Sequence, residues 1–204
     1  MGSSAHVVVI LLAAGASSRM GRSKLTLPLG ETTLLRLALR RAAAVSDQAP
    51  IVVTGHDDAL IREHLAEEES SPRLVHNPSW QSGMGGSIVT GIAAANHAST
   101  STAYLIMLTD QPDADERLLR ELLDAHATHP KDIVAVAYPE GPGVPACFPA
   151  GYREQLLNQD GTGGARTLLR SGRYPVRTIT PPAPLADVDT PEDYQRLAGR
   201  TLRP

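Results

Sequence analysis

Arg19, Lys24 and Asp110 are the residues whose types and placement could do chemistry, and that chemistry is the handling of a polyphosphate. Arg19 and Lys24 lie in the stretch Leu12-Ala13-Ala14-Gly15-Ala16-Ser17-Ser18-Arg19-Met20-Gly21-Arg22-Ser23-Lys24, which follows an apolar run over residues 7–12. Ala13, Ala14 and Gly15 leave the backbone almost bare, so a flat base or a phosphate can come close while loop amides face it. A cation about 4 Å from a phosphate oxygen contributes roughly 4 kcal/mol at an effective dielectric of about 20, so the two together could hold and polarise a triphosphate. A surface loop with solvated charges is the competing reading of the spacing. Counting excludes two other phosphate loops. Gly15 and Gly21 enclose five residues and Lys24 does not follow the second glycine directly, which rules out a Walker loop, and Ser17 stands where a dinucleotide loop needs its second glycine.

Asp110 sits in Thr109-Asp110-Gln111-Pro112, directly after the apolar run 104–108. A carboxylate at the carboxyl end of a central strand lies where α/β sheets bind ligands, and it is a hard oxygen ligand suited to Mg²⁺. A helix cap is the alternative. Near the other end of the sequence, Asp187 and Asp189 are separated by one residue, so an extended segment would turn only one of them toward a site. Thr190, Pro191 and the acids after them mark a helix start.

Several elements must position these groups. The run 7–12, rich in β-branched residues, and the shorter stretches 51–54, 73–76, 104–108, 133–137 and 176–179 read as strands. Helical spacing places Leu34, Leu35, Ala38, Leu39, Ala42 and Val45 on one face, and Leu60, Ile61, His64 and Leu65 inward on a helix over about 58–68. A third helix over about 115–129 carries Leu118, Leu119, Leu122, Leu123 and His126 on one face. His126 and His129 have the spacing of a metal pair but no third ligand, so a solvated pair at a helix end is expected. The glycines 83, 85 and 86 open a further helix containing Ser87 and Ile88, whose free amides suit an anion. Prolines and glycines over 138–151 predict a loop-rich section. Alternating strands and helices give a single three-layer α/β domain over 1–204, with a mostly parallel central sheet and helices on both faces.

Composition narrows the partners. The 204 residues are 42% apolar and 20% charged, enough for a globular core. A formal charge of −3 and few aromatic residues argue against a nucleic-acid surface, so the partner is a small molecule. The single cysteine, Cys147, permits no internal disulfide and reads as a small buried residue. The first residues have neither a signal-peptide pattern nor a myristoylation pattern, and no apolar run approaches the ~20 residues of a membrane span. The expectation is a soluble cytoplasmic protein with no membrane partner.

The run L-A-A-G-x-S-x-R-M-G-x-x-K from Leu12 to Lys24 resembles the signature of the nucleotidyltransferases that attach a nucleotide to the molybdenum cofactor. The stretches 77–88, 108–112 and 187–193 agree in the same order, so the resemblance covers nearly the whole chain. It implies a Rossmann-like nucleotidyltransferase fold and transfer of CMP from CTP to the phosphate of molybdenum-molybdopterin, with release of pyrophosphate. Ala14 resembles the cytidylyltransferase branch, where the guanylyltransferase branch usually has glycine. Residue by residue, it implies that Leu12, Ala13, Ala14, Gly15, Arg19, Lys24 and Gly83 bind the nucleotide, with Arg19, Lys24 and Asp110 catalytic. Asp110 and Asp189 would hold Mg²⁺, Asp187 being the reserve, while Asn77, Trp80, Ser87 and Pro145 would face the acceptor. The segment 161–166 departs from the usual G-D-x-G-A-R by carrying Thr162, with Asp160 just before it, which leaves acceptor specificity open. A molybdenum hydroxylase would receive the product. The rival expectations are the same chemistry with GTP or another phosphorylated acceptor, and a carrier that delivers the cofactor without catalysis.

Overall fold

The computed structural model describes residues 6–68, 70–95, 101–159 and 163–199. The strands are β1 (His6–Ala13), β2 (Pro28–Leu29), β3 (Thr32–Thr33), β4 (Ile51–Thr54), β5 (Arg73–His76), β6 (Ser101–Leu108), β7 (Ile133–Tyr138), β8 (Gly141–Pro149) and β9 (Val176–Ile179). The α-helices are α1 (Leu34–Ala44), α2 (Asp58–His64), α3 (Met84–Ala94), α4 (Glu116–Thr128), α5 (Arg153–Leu157), α6 (Ala165–Leu169) and α7 (Pro191–Ala198). β2 and β3 form a small hairpin, and the other strands form one sheet in the order β5-β4-β1-β6-β8-β7-β9. Among the described residues only β8 runs antiparallel to its neighbours in that sheet.

β1 is the centre of this arrangement because its side chains are apolar on both faces, as a strand covered on both sides requires. Val7, Val9 and Leu11 pack with Leu35 and Leu39 of α1, Ile61 of α2 and Leu118 and Leu122 of α4. Val8, Ile10 and Leu12 pack with Ile88 and Ile92 of α3, Leu156 of α5 and Leu168 of α6. The result is the expected three-layer α/β fold with helices on both faces. Ala13 pairs with Thr54, and Leu12 with Leu108, so the loops after β1, β4 and β6 leave the same end of the sheet and converge there.

Three expectations change. The section 138–151 is not loop but the turn and strand β8, which pairs with both β6 and β7. Pro145 is accommodated by a bulge: Ala135 faces Ala146 while Val136 faces Gly143, leaving Val144 and Pro145 outside the ladder, where a missing N–H costs no bond, whereas Pro142 and Pro149 stand in register with Ala137 and Ala103. Leu60 is exposed rather than inward, because α2 is a short helix that turns only Ile61 into the core, with Leu65 following at its end. His126 is not solvated: it lies one turn beyond Leu122 on the inner face of α4, only 3% exposed. Cys147 is fully buried as expected, and burial pushes its thiol up to about 12. Among the described residues no helix is long and apolar enough to cross a membrane.

The burial of His126 has a pH signature. Burial pushes its imidazole below the usual 6.5, and burial followed by the Arg36 charge does the same for His64. In the interval between the folded and unfolded values the unfolded chain therefore binds more protons. The stability that these two histidines contribute is full above pH 6.5 and is expected to be lost as the pH drops below it. His126→Leu should flatten that slope in urea titrations taken at a series of pH values. An unchanged slope would remove His126 as a contributor.

Candidate active site

A cavity of about 380 Å³ opens where the loops after β1 and β6 meet. Leu12, Ala13, Ala14, Gly15, Arg19, Lys24, Trp80, Gly83, Ser87, Asp110 and Asp189 all contribute to its wall. The loop after β1 is shaped by Ser17, which adopts a left-handed conformation with φ 50°, and its hydroxyl accepts a bond from the Lys24 amide at 3.1 Å. That closure turns the Lys24 side chain back over the sheet. Its Nζ lies 2.6 Å from Asp110 Oδ2 and 2.9 Å from Asp189 Oδ1, and Arg19 Nη2 lies 2.7 Å from Asp189 Oδ2. Groups far apart in sequence thus meet at one point.

Each carboxylate is fixed by its own local structure. The Thr109 hydroxyl donates to the Leu12 carbonyl at 2.9 Å and pins the end of β6 to β1, which aims Asp110. On the other side Thr190 and Asp193 form a capping box at the start of α7, as the sequence predicts, with Pro191 in its first turn. Asp193 Oδ2 also accepts from the Asp189 amide at 3.1 Å, so the cap that starts α7 holds the residue carrying the carboxylate.

The charges are shared unevenly. Burial pushes the Asp110 carboxyl up, and the nearby charges of Asp187 and Asp189 add to that, with Lys24 opposing. Burial works against the Lys24 ammonium too, yet Asp110 and Asp189 together hold it above its usual value. For Asp189, burial is outweighed by Lys24 and Arg19, which hold it below the usual carboxylate range. Asp189 thus has two cations and Asp110 has Lys24 alone, and among the described residues Asp110 Oδ1 is buried with no hydrogen-bond partner. Such a donor set suits a divalent cation. Among the described residues no group of three or more His, Cys, Asp or Glu could hold a metal. Two carboxylates would therefore leave most of a divalent ion's shell to water and to ligand oxygens.

Two of the expected acceptor residues stand elsewhere. Asn77 is 2% exposed and lies behind the cavity wall, donating from Nδ2 to the Ser87 hydroxyl at 3.1 Å and accepting at Oδ1 from the Ser79 amide at 3.0 Å. It braces the loop that carries Trp80. Pro145 lies in the β8 bulge, away from the cavity wall. Arg170 donates to the Pro142 carbonyl at 3.2 Å and braces the turn between β7 and β8. Thr162 and Asp160 lie outside the described residues. Gly83 enters α3 at φ 110°, a conformation that favours glycine.

One contributor escaped the sequence reading. Gly55, just after β4, packs so closely that a Cβ there would fall 2.5 Å from the Ala14 carbonyl oxygen and 2.7 Å from Trp80 Cβ. The next amide, of His56, donates to that same Ala14 carbonyl at 3.2 Å, and the His56 ring meets Trp80 edge-on at 5.1 Å. Gly55 thus sets the seating of Ala14 and Trp80 on the cavity wall. Because both neighbours are backbone or the root of a side chain, Gly55→Ala is expected to cost about 1–3 kcal/mol in denaturant unfolding, the usual range for overpacking. A loss below the error of the measurement would show that the loop yields freely.

A three-layer α/β sheet with a small-residue loop, two cations and two carboxylates gathered beyond its strand ends defines a class, the nucleotidyltransferases. The chain belongs to the MobA-like NTP transferase family, whose domain it matches over residues 9–177. It is 33% identical to the nicotine blue oxidoreductase of Paenarthrobacter nicotinovorans, covering 94% of this chain and 96% of that protein. It is 27% identical to the purine catabolism protein PucB of Bacillus subtilis (95% and 97%) and 26% identical to the molybdenum cofactor cytidylyltransferase of Escherichia coli (91% and 92%). Among solved structures it is similar to Rv0371c of Mycobacterium tuberculosis, at 29% identity with a TM-score of 0.82 over 98% of this chain and all of that one. The same mycobacterial protein is known in complex with manganese, at a TM-score of 0.77 over 96% of this chain and all of that one.

Proposed function

We propose that the protein is a cytidylyltransferase of the molybdenum cofactor, working as one domain over 1–204 with Mg²⁺ in the cytoplasm and passing its product to a molybdenum hydroxylase. The observation that carries the reading is Lys24, held between Asp110 and Asp189 at the mouth of the small-residue loop. The acceptor phosphate is already ionised at neutral pH, so the reaction needs alignment and charge stabilisation rather than a strong base. An acceptor phosphate oxygen forms a bond to the α-phosphorus of CTP, and the bond from that phosphorus to the bridging oxygen breaks, so that pyrophosphate leaves with the electron pair. Ala13, Ala14 and Gly15 let the nucleotide lie against the loop backbone. Arg19 and Lys24 take the negative charge that gathers on the leaving group. Asp110 and Asp189 would hold Mg²⁺, which when bound supplies positive charge to the phosphate oxygens. The manganese complex of a 29% identical protein supports a divalent ion. Ala14 and the 26% identical cytidylyltransferase support CTP and the molybdopterin acceptor.

A second reading has an observation of its own. The relative at 33% identity is a nicotine blue oxidoreductase, so oxidation or reduction of nicotine blue in the same cavity is the rival chemistry. It gives no role to two carboxylates gathered on a lysine. Pyrophosphate release with Mg²⁺, molybdenum-loaded molybdopterin and each ribonucleoside triphosphate in turn separates the readings. Release with CTP alone is expected. Release with GTP or ATP would keep the chemistry and reject Ala14 as a guide to the base. No release by folded protein, together with redox turnover of nicotine blue, would establish the rival. Tight pterin binding with neither reaction would point to a carrier.

A further inference from the structure

Asp187 and Asp189 are one residue apart, and the structure gives them different partners. Asp189 faces Lys24 and Arg19, whereas Asp187 Oδ1 accepts from Gln111 Nε2 at 2.9 Å. Gln111 directly follows Asp110, is only 7% exposed, and uses the same nitrogen to donate to Tyr138 Oη at 3.1 Å. Tyr138 in turn donates to the Val144 carbonyl at 2.6 Å, so the amide is seated against the bulge of β8. A second tie lies alongside: the Val188 amide donates to the Asp110 carbonyl at 2.9 Å, while the Val188 side chain packs with Leu29, Leu34 and Leu197. Residues 185–189 belong to no strand or helix, so no ladder fixes their distance from the end of β6. Beside the Lys24 bridge between the two carboxylates, the two ties on either side of Asp110 and Val188 do.

We infer that Gln111 and Asp187 form a positioning clip that sets the separation of Asp110 and Asp189, so that the two carboxylates are preformed for a divalent cation. The inference rests on the metal reading proposed above. It assigns Asp187 a partner other than the metal, and it requires an amide at 111: a glutamate there would set two carboxylates against each other, and a leucine would leave Asp187 without its donor.

Manganese binding without nucleotide, followed by the electron paramagnetic resonance signal of the free ion, tests this apart from turnover. Gln111→Leu and Asp187→Ala are each expected to weaken binding about tenfold, the usual effect of losing a group that orients a metal ligand. The double variant should be no weaker than either single one, because both remove the same bond. Asp187→Asn keeps an acceptor oxygen for Gln111 and is expected to bind within about twofold of the unaltered chain. Asp187 is exposed, so its variants report even where Gln111→Leu fails to fold. Equal loss in Asp187→Asn and Asp187→Ala would make Asp187 a ligand itself and overturn the clip. Unchanged binding in Asp187→Ala would overturn it as well. Absence of manganese binding by the unaltered chain would instead overturn the metal reading, and the clip with it.

Discussion

Asp110→Asn is expected to lower turnover at least tenfold, about 1.4 kcal/mol or more of transition-state stabilisation, while leaving the fold intact. The substitution keeps the shape of the side chain and one acceptor oxygen, so Lys24 retains a partner and β6 keeps its pairing. What it removes is the negative charge beside an oxygen, Oδ1, that is buried and has no hydrogen-bond partner among the described residues. If a divalent ion takes that oxygen, the charge is what binds it, and pyrophosphate release should fall together with manganese affinity. Turnover near that of the unaltered chain would remove Asp110 from the chemistry.

Lys24→Ala should cost at least as much in turnover, about tenfold or more, and it carries a second signature. Without the ammonium, Asp110 and Asp189 face each other with only the exposed Arg19 in support. Unpaired carboxylates in a partly buried site destabilise the folded chain, and a cation that binds only the folded form restores it by mass action. Thermal unfolding of Lys24→Ala should therefore begin at a lower temperature without metal and recover more on adding manganese than the unaltered chain does. Lys24→Arg is not expected to rescue turnover, since a planar fork does not fit where a single nitrogen reaches two carboxylates at 2.6 and 2.9 Å. Full turnover in either variant would show that Lys24 only fills the site.

The parts of this arrangement that sequence makes legible are those written in local patterns. β1 announces itself by an unbroken apolar run, the loop after it by small residues, and α7 by a cap, a proline and acids in order. β8 was hidden because prolines and glycines are loop residues by local rule, and only pairing on both sides with a bulge between makes a strand of them. His126 is illegible for a similar reason: its helical position places it inward, its polarity argues outward, and packing decides. Gly55 carries no signal at all, because its reason for being glycine is a carbonyl contributed by another loop. Which of Asp187 and Asp189 turns inward likewise depended on Gln111, distant in sequence and adjacent in space. The convergence of Lys24, Asp110 and Asp189 was legible only through the resemblance of the motifs, since spacing along the chain gives no distance between them.

The central place of β1 also bears on how the chain is made. It is synthesised before either neighbour, and β4, which covers one of its edges, is followed by two helices and β5 before β6 arrives to cover the other. Until Leu108 has left the ribosome to pair with Leu12, a strongly apolar strand presents an open edge to any other nascent copy. The segment that organises the finished sheet is thus the one most exposed to misassociation during synthesis. Slower accumulation of the nascent protein, at lower temperature or lower dose, is the condition under which soluble yield should rise.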